Sequence, residues 1–217
     1  SGASYDLLAG GLSCQYRPAE KIPVWHTDAT FREKPPAGSV LFCRQAPKEG
    51  GATCVADMRA AWASLASEEQ CDLERLDCVC SLSHHDAVVY ARDPTAPAPT
   101  PALRNAHPAQ RVPMVLRHPI TGQKALYGWN SGTCCIMPRD AKLDSAQLTE
   151  LETSAIKHSS VATWLALLQR VTAPAFTTIW RWRIGDLLVW DNRSTMHCAT
   201  GFDRARYVRE MWRTTIL

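Results

Sequence analysis

The 217-residue chain is 46% hydrophobic and 21% charged, which is enough apolar sequence for one large domain or two small ones. Its net charge of +3 is too weak for a nucleic-acid or membrane footprint, and no apolar run reaches membrane-spanning length. No signal peptide is read at the start, and the nine cysteines, with no paired C-x-x-C spacing, read as buried reduced thiols in a reducing, cytoplasmic setting.

Along the chain, "IPVWHTDATF" (residues 22–31) reads as a strand, followed by the turn "KPPAG" and a second strand, "SVLFCR". Within the first run His26 and Asp28 stand two apart, so a strand puts both side chains on one face. If that face is the core, their burial needs a partner, and a metal ion is one; a surface-facing pair is the alternative. Gly50-Gly51 marks a turn. Met58, Ala61, Trp62 and Leu65 follow helical spacing behind a capping Asp57, and Ser67 with Gln70 predicts a capping box for the next helix. Residues 93–113 are rich in Pro and Ala and predict neither a regular helix nor a central strand, but a long loop of the kind that forms lids. "MVLRHPITGQKALYGW" predicts a hairpin turning at Thr121-Gly122. A helical pattern runs from Asp144 to about Val171. "FTTIWRWRI", "DLLVW", "STMHCA" and "YVREMWRTTI" then return to strands. There are no internal repeats. Strands at both ends with helices between them predict a mainly β core with flanking helices.

A lone H-x-D is weak evidence, and a second one, His84-x-Asp86, offers a rival metal site. Context separates them. His197 lies in a short predicted strand. Arg209, Met211 and Arg213 share strand parity, which places the two arginines on one face about 13 Å apart at about 3.3 Å per residue. Arginine forks bind carboxylates bidentately. Two His plus one carboxylate, with the second His far along the chain, is the ligand set of non-heme Fe(II) oxygenases, and it leaves three metal positions open. Trp180, Trp182, Trp190 and Trp212 alternate in strands and read as packing residues, not as a base-stacking set. Asp191-Asn192-Arg193 reads as a turn held by side-chain hydrogen bonds. Alternation points Cys198 away from the His197 side chain, and Cys134 and Cys135 receive no role.

Taken together, "WHTDATF", "PPAGSVLFCR", "GGATCVADMRAAWASL", "LRHPITGQKALY", "RWRIGDLLVWDNRSTMHCAT" and "VREMWRTTI" resemble, in order, the TauD/TfdA-like Fe(II)- and 2-oxoglutarate-dependent dioxygenases. The resemblance covers about Val24 to Ile216. It implies a double-stranded β-helix (a cupin-like jelly roll) and a single domain over residues 1–217, shortened at its N-terminus, with the Pro/Ala-rich loop at about 93–113. It implies His26, Asp28 and His197 as metal ligands and catalytic centre. It implies Thr53 and Arg209 at the distal carboxylate of 2-oxoglutarate, and Arg213 at the acidic group of the primary substrate, with the two arginine roles open to exchange. The cofactors implied are Fe(II), 2-oxoglutarate as cosubstrate and dioxygen. The partner is a small anionic molecule such as an aryloxy-carboxylate, sulfonate or sulfate ester, which is hydroxylated with release of succinate and CO2. A homo-oligomer is left open. Two other readings stand beside this one: a catalytically inactive jelly-roll binding protein, and a metal-dependent hydrolase using the same His/Asp cluster.

Overall fold

In a computed structural model of the chain, the structure describes residues 25–91, 93–203 and 205–217, together with the backbone of a short pair of strands, β1 (Leu7–Leu8) and β2 (Gly11–Leu12). Residues 22–24 of the predicted first strand lie outside the described residues. The remaining strands are β3 (Gly38–Gln45), β4 (Thr53–Asp57), β5 (Leu76–Cys80), β6 (Gln110–Pro113), β7 (Val115–Arg117), β8 (Lys124–Leu126), β9 (Thr133–Pro138), β10 (Thr177–Trp180), β11 (Leu187–Asp191), β12 (Thr195–Ala199) and β13 (Glu210–Ile216). The helices are α1 (Met58–Ala63), α2 (Ser67–Leu73), α3 (Leu82–Tyr90), α4 (Pro101–Ala106), α5 (Ser145–Thr153) and α6 (Val161–Val171). No helix of the described residues is long and apolar enough to cross a membrane.

Two antiparallel three-stranded sheets form the centre, β10-β4-β12 and β11-β3-β13. Their inner faces meet: the ring of Trp190 on β11 lies 4.5 Å from that of His197 on β12. A third sheet, β6-β5-β9, and the hairpin β7-β8 extend the β structure. This is the expected double-stranded β-helix, mainly β with helices outside.

Strand alternation explains the layering. On β4 and β12, Cys54, Ala56, Met196 and Cys198 point away from the interior and are fully buried. They form one core with Met58, Ala61 and Trp62 of α1 and Trp164, Leu168 and Val171 of α6. Each large apolar side chain of that layer contributes roughly 1.5–3 kcal/mol. The outer face of β11-β3-β13 is different: Leu187, Val189, Trp212 and Ile216 are between 47% and 59% exposed.

Several predicted elements differ. Around His26 there is no regular strand: His26 makes one isolated bridge to His197, and the chain turns from Asp28 onward, with Ala29 at φ 49°. The capping box at Ser67 is absent, because the cap is Ala66 and the Gln70 side chain donates to the Trp62 carbonyl. The Pro/Ala-rich stretch 93–113 is not a loop throughout. Thr100 caps α4 by accepting from Leu103 N, and Pro101 takes the first helical position, where its missing N–H costs nothing. Gln110–Pro113 becomes an edge strand, where proline is tolerated. The pattern from Asp144 to Val171 forms two helices with a break at 154–160; Asp144 and Gln147 make a capping box at the first. Only Thr177–Trp180 of "FTTIWRWRI" is strand. The Thr121-Gly122 hairpin forms as expected, with Gly122 at φ 72°. The described cysteines are free, and all but Cys71 are buried.

Candidate metal centre

The pairing of His26 with His197 assembles the site. The two residues exchange both backbone hydrogen bonds, His26 N to His197 O at 3.0 Å and His197 N to His26 O at 2.9 Å. Directly opposed residues of an antiparallel pair project to the same side, and the two imidazoles lie 4.2 Å apart between centroids. Asp28, two residues on, brings Oδ1 to 3.7 Å from Nε2 of each histidine. The three ligand atoms all lie within 4.8 Å of one another. Among the described residues this is the one group of three or more His, Cys, Asp or Glu placed to hold a metal ion. His84 and His85, the rival site, are held elsewhere: His84 Nδ1 meets the Leu151 carbonyl at 3.2 Å and His85 Nδ1 meets Ser131 Oγ at 2.6 Å.

Burial pushes the His197 imidazole well below its ordinary pKa, and the neighbouring His26 and Arg213 add to the effect. The neutral ring is the form that ligates metals. Two imidazoles and a carboxylate are a donor set suited to a divalent first-row metal with open positions.

Asp28 is buried and its other oxygen is engaged: Ser39 Oγ donates to Oδ2 at 2.6 Å. Asn192 Nδ2 donates to Ser39 Oγ at 3.2 Å and to the Pro36 carbonyl at 3.3 Å, and Trp190 Nε1 donates to Asn192 Oδ1 at 3.0 Å. Arg213 Nη1 donates to Asp28 Oδ1 at 3.3 Å from a side chain that is half exposed.

A second group of residues lies beside the centre on β4. Thr53 and Val55 share a face, and Val55 is the cross-strand partner of His197. Thr53 Oγ1 accepts from Trp182 Nε1 at 3.0 Å and from Arg209 Nη2 at 3.3 Å; Arg209 Nε donates to the Gly51 carbonyl at 2.8 Å. With both lone pairs of Thr53 engaged, its hydroxyl hydrogen is left to donate. Arg209 packs across the Gly50-Gly51 turn. Gly50 and Gly51 have φ of 73° and 65°, and a Cβ on Gly51 would stand 3.2 Å from Arg209 Cδ.

All six residues singled out in the sequence thus fall into two adjacent groups: His26, Asp28, His197 and Arg213 in one, Thr53 and Arg209 in the other. The sequence reading missed Ser39, Trp182, Trp190 and Asn192. Asn192 reads in the sequence only as part of a turn, and its burial is seen only in the structure. Asp191 and Arg193 do form that turn: the Asp191 carboxylate accepts from Arg193 N and from the guanidinium, and meets His118 Nε2 at 2.8 Å. Cys198 points into the helix-covered core, away from the centre, and Cys134 donates to the Val79 carbonyl in a separate small cluster.

The family model of the taurine catabolism dioxygenase TauD, TfdA family matches residues 9–215. The chain is 28% identical over 194 residues to an alpha-ketoglutarate-dependent 2,4-dichlorophenoxyacetate dioxygenase of Cupriavidus pinatubonensis, which covers 89% of this chain and 60% of the relative. It is 32% identical over 189 residues to an alpha-ketoglutarate-dependent sulfate ester dioxygenase of Pseudomonas putida, covering 81% of this chain and 53% of the relative. The chain therefore spans between about half and three-fifths of the length of these curated relatives. Among solved structures, AAD-2 in complex with Mn(II) and N-oxalylglycine superposes with a TM-score of 0.65 at 29% identity, over 88% of this chain and 67% of that one.

Proposed function

The chain belongs to the taurine catabolism dioxygenase TauD, TfdA family, and from that membership we propose that it is an Fe(II)- and 2-oxoglutarate-dependent dioxygenase, one domain over residues 1–217, acting on a small anionic organic molecule. The observation that carries this reading is the convergence of His26 Nε2, Asp28 Oδ1 and His197 Nε2 within 4.8 Å of one another. Three protein donors would leave positions open on a bound metal for exchangeable ligands. The family's metal, Fe(II), supplies dioxygen activation coupled to oxidative decarboxylation of 2-oxoglutarate to succinate and CO2.

The chain's own residues have separable tasks in this reading. His26, Asp28 and His197 hold the metal, with His197 kept neutral by burial. Arg209 and Thr53 fix the far carboxylate of 2-oxoglutarate: a guanidinium fork supplies charge and geometry, and the Thr53 hydroxyl adds a donor. Thr53 is two residues from Val55, the partner of His197, an advance of about 6.6 Å along a strand. That is comparable with the span of an extended five-carbon dicarboxylate. Arg213, at the rim beside Asp28, binds the anionic group of the primary substrate and orients one C–H bond toward the centre. The relatives act, by name, on a phenoxyacetate and on sulfate esters, which supports an organic acid or sulfate ester as substrate here.

The test is anaerobic addition of Fe(II) and then 2-oxoglutarate, followed by a screen of aryloxy-carboxylates, sulfonates and sulfate esters for succinate release. A weak visible metal-to-ligand charge-transfer band and substrate-dependent succinate are expected. A folded protein with no band is a binding module, and turnover without succinate makes it a hydrolase.

A further inference from the structure

We propose that Ser39, oriented by Asn192 and Trp190, is a positioning residue that holds Asp28 as a one-oxygen ligand and so keeps the sites for the cosubstrate and dioxygen open; this rests on the metal-binding reading above. The direction of each hydrogen bond follows from chemistry. An indole N–H only donates, so Trp190 Nε1 fixes Oδ1 as the Asn192 atom facing it, at 3.0 Å. The amide nitrogen must then face the other way, where it donates to the Pro36 carbonyl at 3.3 Å and to Ser39 Oγ at 3.2 Å. Asn192 N also donates to the Ala37 carbonyl at 2.9 Å, which pins the residue by its backbone. With Ser39 Oγ accepting from Asn192, its single hydrogen goes to Asp28 Oδ2, 2.6 Å away. A bond this short to a carboxylate is of the charge-assisted kind.

The relay from Trp190 through Asn192 to Ser39 therefore ends on one carboxylate oxygen, Asp28 Oδ2, while the half-exposed Arg213 reaches Oδ1. Asn192 and Ser39 are essentially inaccessible to solvent, so neither has water as a substitute partner. Oδ2 is committed to Ser39, and Oδ1 alone faces both imidazoles at 3.7 Å. If Asp28 were free to rotate and bind through both oxygens, it would occupy one of the positions the reaction needs. Trp190 also braces the second ligand, since its ring lies 4.5 Å from that of His197. One indole thus links the settings of the carboxylate and of a histidine carried on a different sheet.

The experiment uses the 217-residue chain and Co(II) as the probe, without oxygen or turnover. Ser39→Ala should weaken Co(II) binding by roughly 10- to 100-fold, as loss of a hydrogen bond behind a ligand typically does. It should also change the Co(II) d–d absorption as the carboxylate gains a second contact. Ser39→Thr keeps the hydroxyl and should restore both affinity and spectrum. Trp190→Phe keeps a ring against His197 but removes the first donor, and should give a smaller shift in the same direction, with the urea midpoint of the metal-free protein close to that of the parent. Parent-like Co(II) affinity and spectrum in both Ser39→Ala and Trp190→Phe overturn the proposal while leaving the metal centre standing. So does a loss of affinity in Ser39→Ala that tracks metal-free stability and that Ser39→Thr does not restore. A parent chain that takes up no Co(II) removes the centre itself, and the proposal with it.

Discussion

The guanidinium of Arg213 donates from Nη1 to Asp28 Oδ1 across 3.3 Å, whereas Arg209, four residues earlier, reaches Thr53 instead. The two arginines of one chain segment are thus committed to different neighbours. Hydrogen bonds to charged groups are worth roughly 1.5–3 kcal/mol, or about 10- to 150-fold in affinity. Arg213→Ala should raise KM for the anionic substrate by about that factor and leave KM for 2-oxoglutarate nearly unchanged. Arg209→Ala should do the converse. Steady-state succinate assays with each substrate varied in turn check this, and the opposite pattern exchanges the two roles.

Trp182 is a further partner of Thr53. Its Nε1 donates to Thr53 Oγ1 at 3.0 Å and so sets where the threonine hydroxyl points. Trp182→Phe keeps most of the packing and removes one hydrogen bond of about 1 kcal/mol. The expected result is about fivefold weaker 2-oxoglutarate binding with unchanged metal affinity, read by titrating the charge-transfer band.

The Gly50-Gly51 turn has no room for a side chain. A Cβ on Gly50 would stand 1.9 Å from the Gly201 carbonyl oxygen, in a backbone conformation that disfavours L residues. Gly50→Ala should cost about 2 kcal/mol or more, measured as a lowered urea midpoint. Gly51→Ala meets Pro47 Cγ at 2.5 Å and Arg209 Cδ at 3.2 Å. It should therefore lower 2-oxoglutarate affinity as well as stability.

Acid sensitivity should come in part from His84. Burial, reinforced by the positive charge of Lys157, holds its pKa down at about 4 from 6.5. The unfolded chain takes up the proton more readily, so the stabilising contribution is fully present above about pH 6.5 and is lost as the pH falls toward 4. For this one group the loss between pH 7.5 and pH 5 is about 2 kcal/mol. Urea midpoints measured at both pH values should converge in His84→Gln relative to the parent.

Much of the fold was legible because strand alternation and the ordered motifs point to one architecture. Asp57 and Asp144 cap their helices, and the hairpin at Thr121-Gly122 forms where turn chemistry places it. The Thr100-Pro101 start of α4 was equally visible, but it was masked by the surrounding prolines. His26 and Asp28 do come together on one side, as their spacing predicts, though no regular strand carries them. An isolated bridge fixes His26, and the chain turns away only from Asp28 onward, through Ala29. Ser39 draws no notice in the sequence, and Trp182 reads only as a packing residue. Their roles depend on which residue a register brings opposite and on where a loop returns, and neither is encoded in local spacing.

The two central sheets are supported unequally. β10-β4-β12 is clamped between the interior and helices α1 and α6, while the outer side of β11-β3-β13 carries half-exposed Leu187, Val189, Trp212 and Ile216. Amide protons of β3, β11 and β13 should therefore exchange with deuterium sooner than those of β4 and β12, because less packing has to be broken to open them. Ser39, Trp190 and Arg213 ride on the looser half, and His197 and Thr53 on the tighter one. A loaded centre would act as a rivet between the halves, and slower exchange along β3 would be its signature.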